Sequence, residues 1–405
     1  MKKTVLLVVA LLLVAALLIS CTNNDTATEA EATTETAETS EEVAADSSEN
    51  GASETAADTT GSDIPDGVVG KKIAVIINLT AGDWTQQFFS GATAEAEALG
   101  MDIDVMVSNG DDAKNQELFA QATQQGYDGI MVSHAMLSYC YDMVKPAIDK
   151  GIQVITIFGM PYEGADETNS RLEGVTNVSQ DDFALAQQSL DSMIETVGTK
   201  PVKVLKTFMG PGFPTIDARD VIYKQYEEQG LIETVEVLGV TDLTNVRGDI
   251  TNKLSALLPK YPADSGQVDA IWGCYDELAK GALQALNDAK RTDIKLFSID
   301  ISDDDINLML ENPDVWISTS ACDVPQFATA CVDIMALKLA GDPDVPVNMD
   351  ETYDYVYPAY PVNTADLKEG TNMENLAEIV DGWAADELIS DLNRPWMDTL
   401  RSQNK

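Results

Sequence analysis

The side chains best placed to do chemistry in this 405-residue chain stand where short apolar runs give way to helical patterns. Tyr275 and Asp276 lie in Asp269–Ala282, DAIWGCYDELAKGA. Ala270–Cys274 is long enough for a buried parallel strand, and Leu278, Ala282, Leu283 and Leu286 then recur at helical spacing. In an open α/β sheet ligands bind outside the carboxyl ends of strands, so this handover faces a binding crevice. Asp300 follows the apolar Ile294–Ile299 in the same way, and His134, the only histidine, follows Gly129–Ser133. Asn109, Asp111, Phe158, Asn177 and Asp323 are candidates of the same geometric kind. Each has a plainer role beside it. Asp276 can cap its helix through the N–H groups near Leu278 and Ala279, a lone histidine is often packed and hydrogen-bonded, and Asp300 can cap the helix starting at Asp304, although Ile301–Asp303 intervene.

Two further side chains offer recognition chemistry. Arg219, in PTIDARD at the start of a helical pattern, presents a planar fork of donors that suits paired hydroxyls or a carboxylate, unless Asp217 or Asp220 neutralises it at the surface. Trp84, in LTAGDWTQQFF, either offers an aromatic face to a ligand or packs the following helix onto its lobe. Catalysis finds less support. The sequence holds no Gly-x-Ser-x-Gly elbow, no phosphate-binding glycine loop, and no second histidine to activate a nucleophile. Cys140, Cys274, Cys322 and Cys331 match no metal spacing, so no metal and no cofactor is expected.

The elements that position these residues alternate strand and helix. Ile73–Leu79 is apolar and Phe88, Phe89, Ala92, Ala96 and Leu99 follow at helical spacing. The alternation continues through strands at 102–107, 129–133 and 153–158, then through a second series at 203–208, 232–238, 270–274 and 294–299. About ten strands in two series predict an α/β fold of two Rossmann-like lobes with parallel sheets covered on both faces. The net charge is -43. Without the thirteen acids of residues 22–67 and the two lysines of the leader, -32 remains, which argues against nucleic acid as a partner and for a monomer kept soluble by self-repulsion.

Met1–Ser20 places Lys2 and Lys3 before the apolar Val5–Ile19, a signal-peptide pattern, and ends in Leu18-Ile19-Ser20-Cys21. That ending resembles the lipobox of bacterial lipoproteins, which implies lipidation of Cys21 and anchoring to the outer face of the cytoplasmic membrane. Residues 22–67 are mostly Thr, Ala, Glu, Ser and Asp with no aromatic residue and no base, which reads as a disordered tether reaching roughly 40 Å. A long stalk suits a Gram-positive cell.

The order of elements, the opening Ile-Ala-Val-Ile-Ile, AIWGCYDELAKGA, the Asp300 after KLFSI and the close VYPAYPVNT together resemble the type I periplasmic binding proteins, in their ribose- and galactose-binding branch. The resemblance implies two lobes joined by a three-segment hinge near Thr176–Val178, Thr319–Asp323 and Val356–Pro361. The implied division is a leader at 1–20, the lipidated Cys and tether at 21–70, a first lobe at 71–176 plus 323–355, a second at 177–322 plus 356–390, and a tail at 391–405. It implies a monosaccharide or related polyol in the interlobe cleft, with Trp84 stacking on it, Arg219 donating to its oxygens and Asp300 accepting from its hydroxyls. Tyr275 stands where the family often carries Asn, and SHAMLSY lacks the Asp or Asn common beside His134, so no particular sugar is implied. The partners would be an ABC permease and ATPase. A same-fold sensor presenting a sugar or autoinducer to a chemoreceptor or histidine kinase is the alternative, and a secreted enzyme the third reading.

Overall fold

The computed structural model describes residues 64–78, 82–349 and 353–404. The expected leader, Cys21 and most of the tether lie outside the described residues. Among the described residues no helix is long and apolar enough to cross a membrane.

The first lobe is built from β1 (Lys72–Ile77), α1 (Asp83–Ala98), β2 (Asp102–Val107), α2 (Asp112–Gln125), β3 (Gly129–Ser133), α3 (Leu137–Ile148), β4 (Gln153–Ile157) and β5 (Val175–Gln180). The second follows with α4 (Asp182–Val197), β6 (Val202–Phe208), α5 (Pro214–Glu228), β7 (Ile232–Gly239), α6 (Val246–Leu257), β8 (Ala270–Gly273), α7 (Asp276–Asp288), β9 (Lys295–Ile299), α8 (Asp303–Glu311) and β10 (Trp316–Ala321). The chain then returns through α9 (Val324–Ala340), β11 (Tyr355–Tyr357), β12 (Tyr360–Asn363) and α10 (Pro395–Gln403).

Two six-stranded sheets result, ordered β11-β5-β4-β3-β1-β2 and β12-β10-β9-β8-β6-β7. Every pairing is parallel except β10 with β12. This is the two-lobed α/β fold anticipated, with twelve strands among the described residues instead of about ten because the crossings are themselves strands. Thr176–Val178 lies inside β5, in the first sheet, and the chain changes lobe only after Gln180. The later crossings fall between Ala321 and α9, and between Tyr357 and Tyr360.

Burial accounts for the near-continuous apolar runs. Every residue of β3, β5 and β8 is buried, as parallel strands covered on both faces require. Asp111, Asp181, Asn245, Ser302 and Asp323 cap α2, α4, α6, α8 and α9, each side chain accepting a backbone N–H three residues on. Where α9 returns to the first lobe it packs against α1 so closely that a Cβ at Gly91 would lie 2.4 Å from the Pro325 carbonyl oxygen.

Two boundaries differ from the expectation. Residues 64–70 are not tether: Val68 is fully buried, Ile64 packs on the first-lobe core and the Gly70 N–H donates to Gly100, because these apolar residues have a hydrophobic surface to join. The described part of the expected tail, residues 391–404, is docked. Helix α10 buries Trp396, Met397 and Leu400 against the first lobe, and Arg401 bonds Glu95 at 2.9 Å and Asp333 at 2.9 and 3.0 Å.

Candidate functional site

The carboxyl ends of the two sheets face a common cleft holding about 660 Å³ of empty space, part of it open to solvent. Its wall includes Trp84, His134, Phe158 and Gln180 from the first lobe and Met209, Phe213, Thr215, Arg219, Tyr275, Asp276 and Asp300 from the second. Of the residues expected at a site, Trp84, His134, Phe158, Arg219, Tyr275 and Asp300 are therefore brought together.

Three of them sit there by one backbone device. His134, Phe158 and Asp300 directly follow β3, β4 and β9, with φ of 54°, 66° and 73°. Each N–H still donates to the neighbouring strand: His134 to Ile157, Phe158 to Val178 and Asp300 to Ser320, at 2.8–2.9 Å. The sheet thus holds the residue in register while the left-handed backbone turns the chain out of the strand, at a cost of order 1–3 kcal/mol apiece that the ladder must offset. Strain of this kind concentrates at ligand clamps.

The first lobe supplies an aromatic wall. Trp84, in the first turn of α1, stacks on Phe88 with centroids 5.2 Å apart, and its ring meets His134 edge-on at 5.9 Å and Phe158 at 5.6 Å. Its indole N–H donates to Gln180 Oε1 at 3.4 Å. His134 is 2 % exposed and its Nδ1 lies 2.9 Å from Ser133 Oγ. Burial, and then the charge of Arg219, pushes its pKa down to about 3, so at neutral pH the ring is uncharged.

The second lobe supplies the charged wall. Arg219, from the first turns of α5, is 2 % exposed. Its Nε donates to Asp182 at 2.8 Å, one terminal nitrogen donates to the Cys274 carbonyl at 2.7 Å, and both terminal nitrogens reach the Asp300 carboxylate at 3.3 Å. Burial opposes its charge, but Asp300 and Asp182 outweigh that and raise its pKa above the ordinary arginine value. For Asp182 burial wins over Arg219 and lifts the carboxyl to about 6. The surface pairing of Arg219 with Asp217 or Asp220 does not form: Asp217 accepts from the Gly212 N–H, and Asp220 pairs with Lys206 and Lys224.

Asp276 also departs from expectation. It is the first residue of α7, not its cap. Its carboxylate accepts from the Glu277 N–H at 2.8 Å and from the Lys280 ammonium at 3.3 Å, while Tyr275 occupies the cap position without a side-chain bond to the helix. The Tyr275 hydroxyl points to Met209 Sδ at 3.7 Å, and burial raises its pKa well above the usual tyrosine value. Ser302, not Asp300, caps α8, which leaves the Asp300 carboxylate free to face the cleft with Arg219.

Lys280, 2 % exposed, is surrounded by carboxylates: Asp83 at 2.5 Å, Glu277 at 3.1 Å, Asp305 at 3.2 Å, Asp276 at 3.3 Å and Asp304 at 3.7 Å. Burial opposes its charge, Asp276 and Asp305 outweigh it, and its pKa stands above the ordinary lysine value. The carboxylate oxygens of Asp83, Asp276 and Glu277 come within 4.8 Å of one another, a spacing that would suit a cation, and the Lys280 ammonium already touches all three.

Asn177 and Asp323 lie outside this pocket. Asn177, inside β5, bonds Asp354 through its backbone and side-chain N–H groups at 2.8 and 3.2 Å and accepts from Thr156 at 2.7 Å, while Asp323 caps α9. Asp111 caps α2. Gln180, Met209, Phe213, Thr215 and Asp83 line the pocket without having been singled out. Gln180 ends β5 and Met209 follows β6, so the strand-end rule that selects His134 and Asp300 would have found them once the strands were bounded correctly.

A sequence profile described as a periplasmic binding protein domain matches residues 73–343. A sugar ABC transporter protein from Yersinia enterocolitica, solved as a crystal structure, is 34% identical, covers 85% of this chain and 100% of its own, and superposes with a TM-score of 0.75. The 5-methylthioribose transporter solute-binding protein of Thermotoga lettingae shares the fold at 21% identity and a TM-score of 0.70, over 84% of this chain and 99% of its own. A curated xylitol-binding protein of Mycolicibacterium smegmatis is 26% identical over 202 residues, 48% of this chain, and the match spans about half (53%) of that relative's length.

Proposed function

The chain belongs to the periplasmic binding protein family, and on that premise we propose that it is the lipid-anchored, extracellular substrate-binding component of an ABC importer, capturing a monosaccharide or related polyol between its lobes. The relatives are transporter binding proteins and not enzymes. The observation that carries the reading is the opposition across one cleft of an aromatic wall, Trp84 with His134 and Phe158, to the buried Arg219–Asp300 pair. Aromatic faces accept the C–H side of a sugar or polyol. The carboxylate oxygens of Asp300 and the guanidinium accept from and donate to its hydroxyls, and desolvation in the cleft strengthens both. Tyr275 on one side of the cleft and His134 on the other add bulk and an uncharged ring and narrow the choice of ligand. Cys21 would tether the protein to the membrane and a permease with its ATPase would take the ligand from the cleft.

The test is thermal unfolding of the chain from Thr22 against pentoses, hexoses, polyols and sugar acids. A ligand at a hundred times its dissociation constant adds about 2.7 kcal/mol, a rise of about 5–10 °C for a lobe of this size. The reading stands if a sugar or polyol does this and Asp300→Asn removes the rise. It fails if none of the panel moves the midpoint of the wild-type protein.

A further inference from the structure

Away from the hinge, the first lobe reaches the second through the N-terminal turns of α1. Asp83 Oδ2 accepts from the Lys280 ammonium on α7 at 2.5 Å and from Ser302 Oγ, ahead of α8, at 3.0 Å. One turn further along α1, Gln87 Nε2 donates to the Ile301 carbonyl at 2.9 Å. Asp83 is the chain neighbour of Trp84 and itself lines the pocket. A plain account of Asp83 is a helix-start acid favoured by the helix dipole. That account does not require two donors from the opposite lobe on the same oxygen.

The partners are arranged so that this contact can be released. Without Asp83, Lys280 keeps Asp276, Glu277, Asp304 and Asp305, all within the second lobe. Ser302 Oγ, whose one proton is shared between Asp83 and Asp305, gives it wholly to Asp305 at 2.7 Å. The Asp83 side chain is 39% exposed, so it passes to water at small cost. Opening therefore strands no buried charge, unlike the loss of an ordinary buried ion pair.

We propose that Asp83 and Gln87 are positioning residues that latch the first lobe onto Lys280, Ser302 and Ile301 of the second, and that the latch holds Trp84 in the closed cleft and so slows ligand release. The proposal rests on the capture function above for its ligand half only. Apparent affinity scales with the fraction of molecules in the binding-competent form, so loosening the latch at Gln87, which lies outside the pocket lining, weakens binding without touching a ligand contact.

The experiment compares the wild-type chain from Thr22 with Asp83→Asn and Gln87→Ala. Small-angle scattering without ligand reads lobe closure, and stopped-flow tryptophan fluorescence reads dissociation of whichever panel sugar or polyol binds. The expected result is a larger radius of gyration in both variants and a several-fold faster dissociation rate in both, the Gln87→Ala rate being decisive because Gln87 lies outside the pocket lining, with a melting temperature close to wild type. An unchanged radius of gyration in both variants overturns the latch. A larger radius with an unchanged dissociation rate overturns its coupling to capture. If no panel compound binds the wild type, the capture function fails while the scattering comparison still decides the latch.

Discussion

Replacing Arg219 by methionine should destabilise the second lobe by about 3–5 kcal/mol, the usual cost of removing one partner from a buried ionic group. The substitution leaves Asp182, with 5% of its side chain exposed, and Asp300, with 9%, facing each other without a cation, and strands the Cys274 carbonyl that accepts at 2.7 Å. At about 2–4 °C per kcal/mol for a lobe of this size, the melting temperature falls by roughly 10–15 °C. Neutralising both acids with Asp182→Asn and Asp300→Asn in the Arg219→Met background should recover more than half of that loss, because the uncompensated charges, not lost packing, carry most of it. The three substitutions share one network and their effects should be strongly non-additive. The measurement is differential scanning calorimetry of the single, double and triple variants at pH 7. An Arg219→Met protein melting within 2 °C of wild type, or a triple variant no more stable than the single one, would mean that uncompensated charge does not carry the loss.

Between pH 6.5 and 4, His134 should make the wild type lose about 3 kcal/mol relative to His134→Asn. Its pKa is pushed down to about 3 by burial and then by Arg219, so the folded ring stays neutral while the unfolded chain takes up a proton below pH 6.5. The stability difference must be read against the variant, since Asp182 and Asp276, lifted to about 6 by burial, favour the folded state as the pH falls through the same window. A difference independent of pH in urea titrations would contradict the neutral, buried ring. Ending the chain at Arg394 should lower the first-lobe melting temperature by several degrees, because it uncovers the surface under Trp396, Met397 and Leu400 and leaves the buried Asp333 beside Glu95 without Arg401. Calorimetry decides that, and no shift would mean α10 is not docked. The thiols of Cys140 and Cys274, pushed up to about 12 by burial, should be inert to an aromatic disulfide reagent at pH 8, and all four of the described cysteines should titrate once urea unfolds the chain.

The strand ends were legible because parallel strands buried on both faces write themselves as unbroken apolar runs, and the residue after each run must leave the sheet. His134 and Asp300 are identifiable on that ground alone, whereas apolar Phe158 extends its run by one residue and only the structure ends β4 at Ile157. The rule misled at β5, where Asn177 lies three residues inside the strand and Gln180 is the one at its end. There the run Val175–Gln180 ends in polar Asn, Ser and Gln, buried because the hinge strands pack around them, so periodicity could not mark its limit. Asp323 misled for another reason: a residue at a crossing is as well placed to cap the next helix as to meet a ligand, and only the Gln326 N–H bond decides between them.

Composition and periodicity thus determined the α/β class and the two series of strands, since each follows from local burial and from where an apolar run stops, whereas the crossings were implied by the family resemblance and the first of them falls after Gln180. What tertiary structure alone decided was who partners whom. Arg219 passes over its sequence neighbours Asp217 and Asp220 for Asp182 and Asp300, thirty-seven and eighty-one positions away, and Asp83 finds Lys280 one hundred and ninety-seven positions on. In so acidic a chain every base has nearby carboxylates to choose from. The choice is made by desolvation and geometry where strands and helices from both lobes converge, and no local stretch of sequence contains that information.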